Sequence, residues 1–474
     1  LQPFFFSMSS PIVLHWFRRD LRLTDNTALH HATAGGNNVV PVYILSTWKK
    51  KHNWTGSTRQ QFLCGSLASL AKNLETLGSR LLFRAGAAEV ELERLAGETG
   101  ATAIYWNRDY DPHGRQVEER VQQMCARRGI SFHHFKDSVM HEAGEVLTGG
   151  GQPYRVYTPY SRNWLSQPKA APLPVIKSLG VPPGSTLTSL PVPTLDYWEL
   201  PPCTADIPEP GERAARDRMK NVIDSGIIAR YSEKRDTPAG QTTSRLGQDL
   251  RFGLISIREL YARALSASGP AASIQTYIKE LAWREFYMAI LWHYPEVFEG
   301  EFNPDFRGIA WTGSDEAFQR WCQGKTGFPI VDAGMRELLG SGFIHNRVRM
   351  IVSMFLTKDL HCHWKLGESH FMQHLVDGEN ASNNGGWQWS AGTGADAAPY
   401  FRIQNPWTQT KRYDPEGTYI KKWVPELRDV PPQRLMEPPA PGLSLAPGYP
   451  APMVDHATER DRCLAMFARH RGKV

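Results

Sequence analysis

The sequence predicts two architectures in one chain: an α/β N-terminal doubly wound parallel sheet domain, and a larger all-α C-terminal domain, joined by a long connector. Three observations lead there. Short apolar runs alternate with helical periodicity over the first ~140 residues. Between Pro168 and Pro210 stand 11 of the chain's 34 prolines. Beyond Gly211 helical patterns dominate and strand candidates nearly vanish.

The elements follow in order. Ile12–Trp16 is a short apolar run, followed by the charged turn Arg18, Arg19, Asp20. Val39–Leu45, Arg80–Phe83 and Ala103–Trp106 are further strand candidates. Phe62, Leu63, Leu67, Leu70, Leu74 and Leu77 recur at helical spacing, and Glu118–Arg128 reads as a helix closed by Gly129. No GxGxxG follows the first strand, so the usual dinucleotide fingerprint is missing from its normal place. Proline lacks an amide donor and turns its preceding residue away from helix. The proline-rich stretch is long for a loop and predicts an ordered crossing between domains. The expected units are residues 8–140, a connector over 141–210, and 211–474. In the last, Ile278–Trp292 predicts a helix stopped by Pro295. Ile344, Val348, Ile351 and Phe355 form a stripe at i, i+4, i+7, i+11. The end beyond about Pro431 is proline-rich.

Composition narrows the class. With 474 residues, 41% hydrophobic and 22% charged, the chain is an ordinary soluble protein that can bury a core without disulfides. Its six cysteines (Cys64, Cys125, Cys203, Cys322, Cys362, Cys463) are scattered with no CxxC pair. That disfavours a cysteine-only zinc or iron–sulfur site and fits reduced thiols in the cytoplasm. No run approaches the ~18 apolar residues of a membrane span. LQPFFFSMSS has no basic region and no long apolar stretch, so it is no secretory signal, and Met8 is a candidate natural start. A net charge of +6 fits a polyanionic partner, and the 15 tryptophans gather toward the C-terminal half.

Four constellations can carry chemistry. The stretch Ala381–Arg402 packs small residues around Trp387 and Trp389. Small residues let a backbone approach a flat ligand, and Asn383 and Asn384 supply hydrogen bonds that do not titrate. A tight helix–helix crossing would explain the same composition. Glu280, Trp283 and Arg284 share one helix face and could hold a stacked, polar, planar ligand, or form an ion pair beside a core tryptophan. Asn346, Arg349 and Met350 share another face, with Arg347 expected off it, and read as a site or as a solvated basic edge. Arg230–Arg235 followed by Thr242–Leu246 offers hydroxyls and amides for a phosphate, or a helix cap.

Trp16–Leu23, Tyr154–Tyr160, Trp283–Tyr287, Gly324–Ala333, His345–Met350 and Asn383–Trp389 occur in that order. Together they resemble the photolyase/cryptochrome family, and within it the photolyases of cyclobutane pyrimidine dimers, from about Pro11 to Arg469. The resemblance implies an FAD bent into a U within the helical domain, which would account for the missing fingerprint on the sheet. It implies that Tyr231, Thr243, Ser244, Arg245 and Leu246 hold the phosphates and ribityl. Arg284, Asn346, Arg349, Asp377 and Asn383 would line the isoalloxazine, with Arg349 paired to Asp377 and Asn383 facing N5. Three positions depart from the pattern: Gly247 for a common serine, Glu379 for a common aspartate, and Tyr277 for a common tryptophan. Tyr277 and Glu379 are still expected to touch the cofactor.

The same resemblance places the lesion against Glu280, Trp283, Asn346, Met350 and Trp389. Trp283 would stack on an extruded dimer and Glu280 would hydrogen-bond its thymine edge. Arg235, Arg347 and Arg402 would contact backbone phosphates, which carry affinity and not sequence information. Trp387, Trp364 and Trp311 match a chain for light-driven flavin reduction. The implied reaction is light-dependent splitting of the dimer by an electron from excited reduced FAD, a carbon–carbon lyase acting without a metal. The implied partner is UV-damaged DNA, bound by a monomer. A second antenna chromophore (deazaflavin, folate or another flavin) is implied beside the sheet. There Gly114, at the end of the Asn107–Gly114 loop, replaces a folate-gripping glutamate, which favours a deazaflavin or other antenna. Asn383 disfavours a plant-type cryptochrome signalling protein, which carries Asp there. A (6-4) photoproduct enzyme would need histidines where Asn346 and Met350 stand. A flavin oxidoreductase without DNA would leave the arginine rim unexplained.

Overall fold

The computed structural model describes residues 10–46, 54–180, 187–396 and 402–472. Met8, Pro182, Pro183 and residues 397–401 of the small-residue stretch lie outside them. Five parallel strands form one sheet in the order β3-β2-β1-β4-β5. They are β1 (Ile12–Phe17), β2 (Asn38–Leu45), β3 (Leu82–Ala85), β4 (Ala103–Asn107) and β5 (Ser131–Phe135). The order reverses at β1, which pairs Val13 with Val39 on one side and with Ala103 on the other. That is the doubly wound arrangement the alternation predicts.

Strand alternation splits the apolar residues between two layers. Val13, Phe17, Val39 and Phe83 pack with Phe62, Leu67, Leu70 and Leu74 of the Ser57–Thr76 helix. Leu14, Val40, Ile104 and Trp106 pack on the other face with Leu92, Leu95, Val121 and Met124 of the Ala88–Thr99 and Pro112–Arg128 helices. The fifth strand is an addition to the sequence reading. Its residues SFHHF lie half-exposed or exposed at the sheet edge, so no apolar alternation announces it.

The connector is an ordered crossing where described. Leu173 N donates to Asp25 Oδ1 (2.7 Å), Val39 N to Leu179 O (2.8 Å), Leu190 N to Phe83 O (2.9 Å) and Asp206 N to Gly340 O (2.8 Å). Beyond it the described residues are helical. The predicted 278–292 helix spans Ala271–His293, and its C-cap Tyr294 precedes Pro295. Of the predicted stripe, Val348 and Ile351 lie on the Asn346–Met354 helix, Phe355 begins a π-helical turn, and Ile344 precedes the helix; all four are buried. The proline-rich end hides a further helix, His456–His470, capped by the Asp455 side chain. It buries Cys463, Met466 and Phe467 against Phe306 and Ile309.

The Gly324–Ala333 motif is a structural knot. The buried Asp332 carboxylate accepts from Thr326 N (2.7 Å), Gly327 N (3.0 Å) and the Tyr449 hydroxyl (2.6 Å), tying the chain's tail to a helix start.

A second knot joins sheet and helices. Buried Asp137 accepts from Arg22 (2.7 Å), which follows β1, and from Arg258 (2.9 Å) in the helical region, and Arg258 also pairs with Asp25 (2.9 Å). Burial alone would raise the Asp137 carboxyl, but the two guanidinium groups overcome it and hold it at about 2. A depressed carboxyl stabilises the fold above its unfolded value near ~3.9, and that stability is lost as pH falls through the folded value. Asp137→Ala leaves two arginines buried without their shared partner. It is expected to cost about 3–5 kcal/mol at neutral pH. In thermal unfolding, the deficit against the parent protein should shrink as pH falls from about 4 toward about 2.

Candidate functional site

A cavity of about 520 Å³ opens among the helices. One turn of the Ala271–His293 helix sends Glu280, Trp283 and Arg284 to its wall together, as their i, i+3, i+4 spacing requires. The Asn346–Met354 helix adds Asn346, Arg349 and Met350. It also adds Arg347, which reaches the mouth, contrary to its expected place off that face. The Asn380–Ala391 helix adds Asn383, Gly386, Trp387 and Trp389.

The small residues of this last helix serve both purposes that the sequence left open. A Cβ on Gly385 would stand 2.1 Å from the Tyr287 ring, so that glycine permits a close helix–helix crossing. A Cβ on Gly386 would meet nothing within 4 Å, so that glycine leaves the cavity open. Gly367, on the Trp364–His374 helix, gives the Trp387 ring its seat, where a Cβ would stand 2.1 Å away.

Trp283 is held flat. Its ring stacks on Tyr157 at 3.5 Å and 9°. Tyr157 is pinned in turn, because its hydroxyl donates to Lys279 O (2.7 Å) and its amide to Asp396 Oδ1 (2.9 Å). At the mouth Arg235 pairs with Glu280 (2.5 Å) and Arg347 with Asp236 (2.9 Å). Burial raises the Glu280 carboxyl, and Arg235 only partly offsets it. Deeper in, Arg349 pairs with Asp377 (2.9 Å). Glu379 accepts from Arg19 through Oε1 (2.5 Å), while its buried Oε2 has no hydrogen-bond partner.

Two stretches of the chain match known family models. Residues 13–177 match the model described as DNA photolyase, and residues 277–469 match the FAD binding domain of DNA photolyase. The chain belongs to the DNA photolyase family. It is 40% identical over 480 residues to the deoxyribodipyrimidine photo-lyase of Agrobacterium fabrum, covering 98% of each chain. It is similar to the crystal structure of a bacterial class III photolyase from Agrobacterium tumefaciens, with a TM-score of 0.92, 38% identity, and 99% and 100% of the two chains covered. It is also similar to an archaeal photolyase from Sulfolobus tokodaii crystallised with two FAD molecules, with a TM-score of 0.84, 31% identity, and 97% and 100% covered.

The photolyase cavity suits the FAD that this membership brings. A buried carboxylate oxygen of Glu379 at its wall has no hydrogen-bond partner, only the Arg284 guanidinium 3.8 Å away, and Gly386 leaves room for a flat ring. Of the expected cofactor contacts, Tyr231, Thr243, Arg284, Asn346, Arg349, Asp377, Glu379 and Asn383 line it. Ser244, Arg245, Leu246 and Tyr277 do not. Leu246 and Tyr277 are buried, Ser244 lies beside the Tyr277 hydroxyl, and Tyr277 packs edge-on to Tyr231 at 5.2 Å. Arg245 turns its guanidinium over Phe343 at 4.1 Å, on a backbone with φ +48°. Gly247 does line the cavity, and a Cβ there would stand 2.9 Å from Asp377 Oδ2, which accounts for glycine where serine is common.

Of the expected DNA contacts, Arg235, Glu280, Trp283, Arg347, Met350 and Trp389 line the cavity, and Arg402 is exposed beside the undescribed residues. Trp387 is on the wall and Trp364 is buried, donating to Glu301 (3.1 Å). The His363 ring lies between Trp364 and Trp311, at 5.6 and 5.5 Å.

Sequence reasoning missed Asp236, Tyr157, Asp396 and Glu368. Asp236 directly follows Arg235, and Tyr157 lies in a motif already singled out, so both were findable. Glu368 gives no local signal, because it meets Asn383 and Asn384 only through helix packing. Asn384 donates to its carboxylate (2.8 Å) and Asn383 to its backbone oxygen (3.1 Å).

Burial pushes the Glu368 carboxyl up to about 7. Its contribution to stability is full below the unfolded value near ~4.3 and is lost as pH rises through the folded one. Glu368→Gln keeps the shape without the charge. Thermal unfolding should show the variant equal to the parent near pH 4.5 and more stable at pH 8, by up to about 3 kcal/mol.

Proposed function

We propose that the protein repairs cyclobutane pyrimidine dimers in UV-damaged DNA by light, as a deoxyribodipyrimidine photo-lyase. The observation that carries this reading is a single cavity wall that carries both Glu280 and Trp283, with the indole braced by Tyr157. A flat, braced indole suits the two fused bases of an extruded dimer, and a raised carboxyl on the same wall suits a thymine edge. The names of the relatives support the same substrate.

FAD, when bound in its reduced form, supplies on excitation the electron that opens the cyclobutane ring and receives it back. The chain's own residues provide the setting. Trp283, Met350 and Trp389 exclude water from the lesion. Glu280 donates or accepts a hydrogen bond at the thymine edge as charge develops there. Asn346 hydrogen-bonds the lesion without titrating, and Asn383, held by the Glu368 backbone, presents its amide to the flavin edge. Tyr231, Thr243, Arg284, Asp377 and Glu379 would hold the rest of the cofactor. Trp311, Trp364 and Trp387 form a path for an electron from the surface to the cavity wall. Arg235, Arg347 and Arg402 bind backbone phosphates around the mouth.

No helix among the described residues is long and apolar enough to cross a membrane. The six free cysteines favour a reducing compartment such as the cytoplasm. A second chromophore serving as antenna is supported by the two FAD molecules of the archaeal relative.

The test is a repair assay on an oligonucleotide carrying one thymine dimer, with reduced protein, blue light and a dark control. Light-dependent recovery of thymine absorbance is expected, and Glu280→Ala should lower the yield about ten-fold or more. Dark-equal behaviour of a flavin-loaded, reduced protein would instead favour a signalling role. Trp311→Phe should slow light-driven reduction of the oxidised flavin, seen by absorbance, while repair by chemically reduced protein stays unchanged.

A further inference from the structure

Four charged side chains stand at the cavity mouth as two ion pairs, Arg235 with Glu280 at 2.5 Å and Arg347 with Asp236 at 2.9 Å. Their charges cancel, so together they offer an approaching phosphate no net attraction. Glu280 has a use toward the lesion. Asp236 has none there, and a carboxylate at the rim of a polyanion site opposes binding.

The geometry around Arg347 explains how that opposition can be selective. Its guanidinium lies over the Tyr413 ring at 4.6 Å, with Nη1 3.5 Å from Met350 Sδ, so the group stays in place without the ion pair. Its Nε has no hydrogen-bond partner. Its side chain is 16% exposed whereas that of Asp236 is 41% exposed, so the acid is the partner on the solvent side. Such a half-exposed pair is weak and exchangeable. A phosphate has more acceptor oxygens than one carboxylate contact uses, and can take over Nη2 from Asp236.

We propose that Asp236 is a specificity-determining residue, which mutes Arg347 until a phosphate flanking an extruded lesion replaces it. Undamaged duplex keeps its bases stacked and its backbone outside the mouth, so it meets Asp236 as a like charge. A lesion swung into the cavity carries its flanking phosphates inward and displaces the acid. Discrimination then comes from repulsion of the wrong substrate as much as from attraction of the right one. This rests on the reading that damaged DNA docks over this mouth.

The test uses the full-length, FAD-loaded protein in the dark. Binding is followed by fluorescence anisotropy on one short duplex with and without a thymine dimer, over a range of salt. Asp236→Asn removes the charge and retains an oxygen for Arg347 Nη2. It should tighten binding of undamaged duplex about three- to five-fold at low salt and steepen its log–log salt slope by about one. Affinity for the lesion duplex should change by less than about two-fold, so the preference for damage falls. Asp236→Ala should do the same, because Tyr413 and Met350 hold the arginine. If Asp236→Asn matches the parent protein while Asp236→Ala weakens both duplexes, the acid merely orients Arg347 and the proposal is overturned. If the parent protein itself shows no preference for the lesion duplex, the docking reading falls, and the role of Asp236 with it.

Discussion

The cavity depends on a buried charge cluster at the top of the sheet. Arg19, just beyond β1, reaches Asp109 (3.0 Å), Asp111 (3.1 Å) and Glu379 (2.5 Å) at once. The first two acids follow β4, and the third opens the Asn380–Ala391 helix. Asn380 donates to Asp111 (2.9 Å), Arg251 to Gly378 O (2.9 Å), and Arg59 of the Ser57–Thr76 helix to Met372 O (2.6 Å). Buried ions are costly unless they are mutually satisfied, so the cluster tolerates only one relative placement of its contributors. That placement sets the pitch of the helix that carries Asn383, Trp387 and Trp389 into the cavity.

The same cluster accounts for where the ligand goes. A doubly wound sheet normally binds its ligand beyond the strand ends, at the point where the strand order reverses. Here that crevice lies between β1 and β4, and Arg18, Arg19 and Asp109 fill it. Arg18 stacks over Trp16 at 4.5 Å and pairs with Glu118. The reversal point has become a mounting surface, and the binding cavity has moved into the helices mounted on it. The absence of a glycine-rich fingerprint after β1 is the sequence trace of that change.

Much of this was legible. Four of the five strands announce themselves because both faces of the sheet are covered, so their residues form apolar runs. The fifth is an edge of histidines and phenylalanines whose exposed face carries no such pattern. Helix faces gave Glu280, Trp283 and Arg284 together, since spacing alone fixes them. The phosphate stretch read less well. Thr243 reaches the wall while Arg245 turns away, because a left-handed residue reverses the side-chain direction that spacing would predict. Asp236 and Glu368 act through partners 111 and 16 residues away, Arg347 and Asn384, and no local pattern encodes such pairings. The final helix escaped notice because a proline-rich stretch leads into it, although Asp455 supplies an ordinary cap.

The Tyr157–Trp283 stack has a thermodynamic consequence. A tryptophan lying loose in a groove would lose rotational freedom on meeting its target, and that loss would weaken every complex it made. This one is already immobilised by the parallel ring of Tyr157, which is itself held through its hydroxyl and its backbone amide. Its ordering was completed during folding. What varies between one DNA site and the next is then chiefly the work of unstacking the bases. A duplex weakened by a fused pyrimidine pair yields more easily than an intact one. The rigid ring thus acts as a fixed gauge of how readily DNA comes apart.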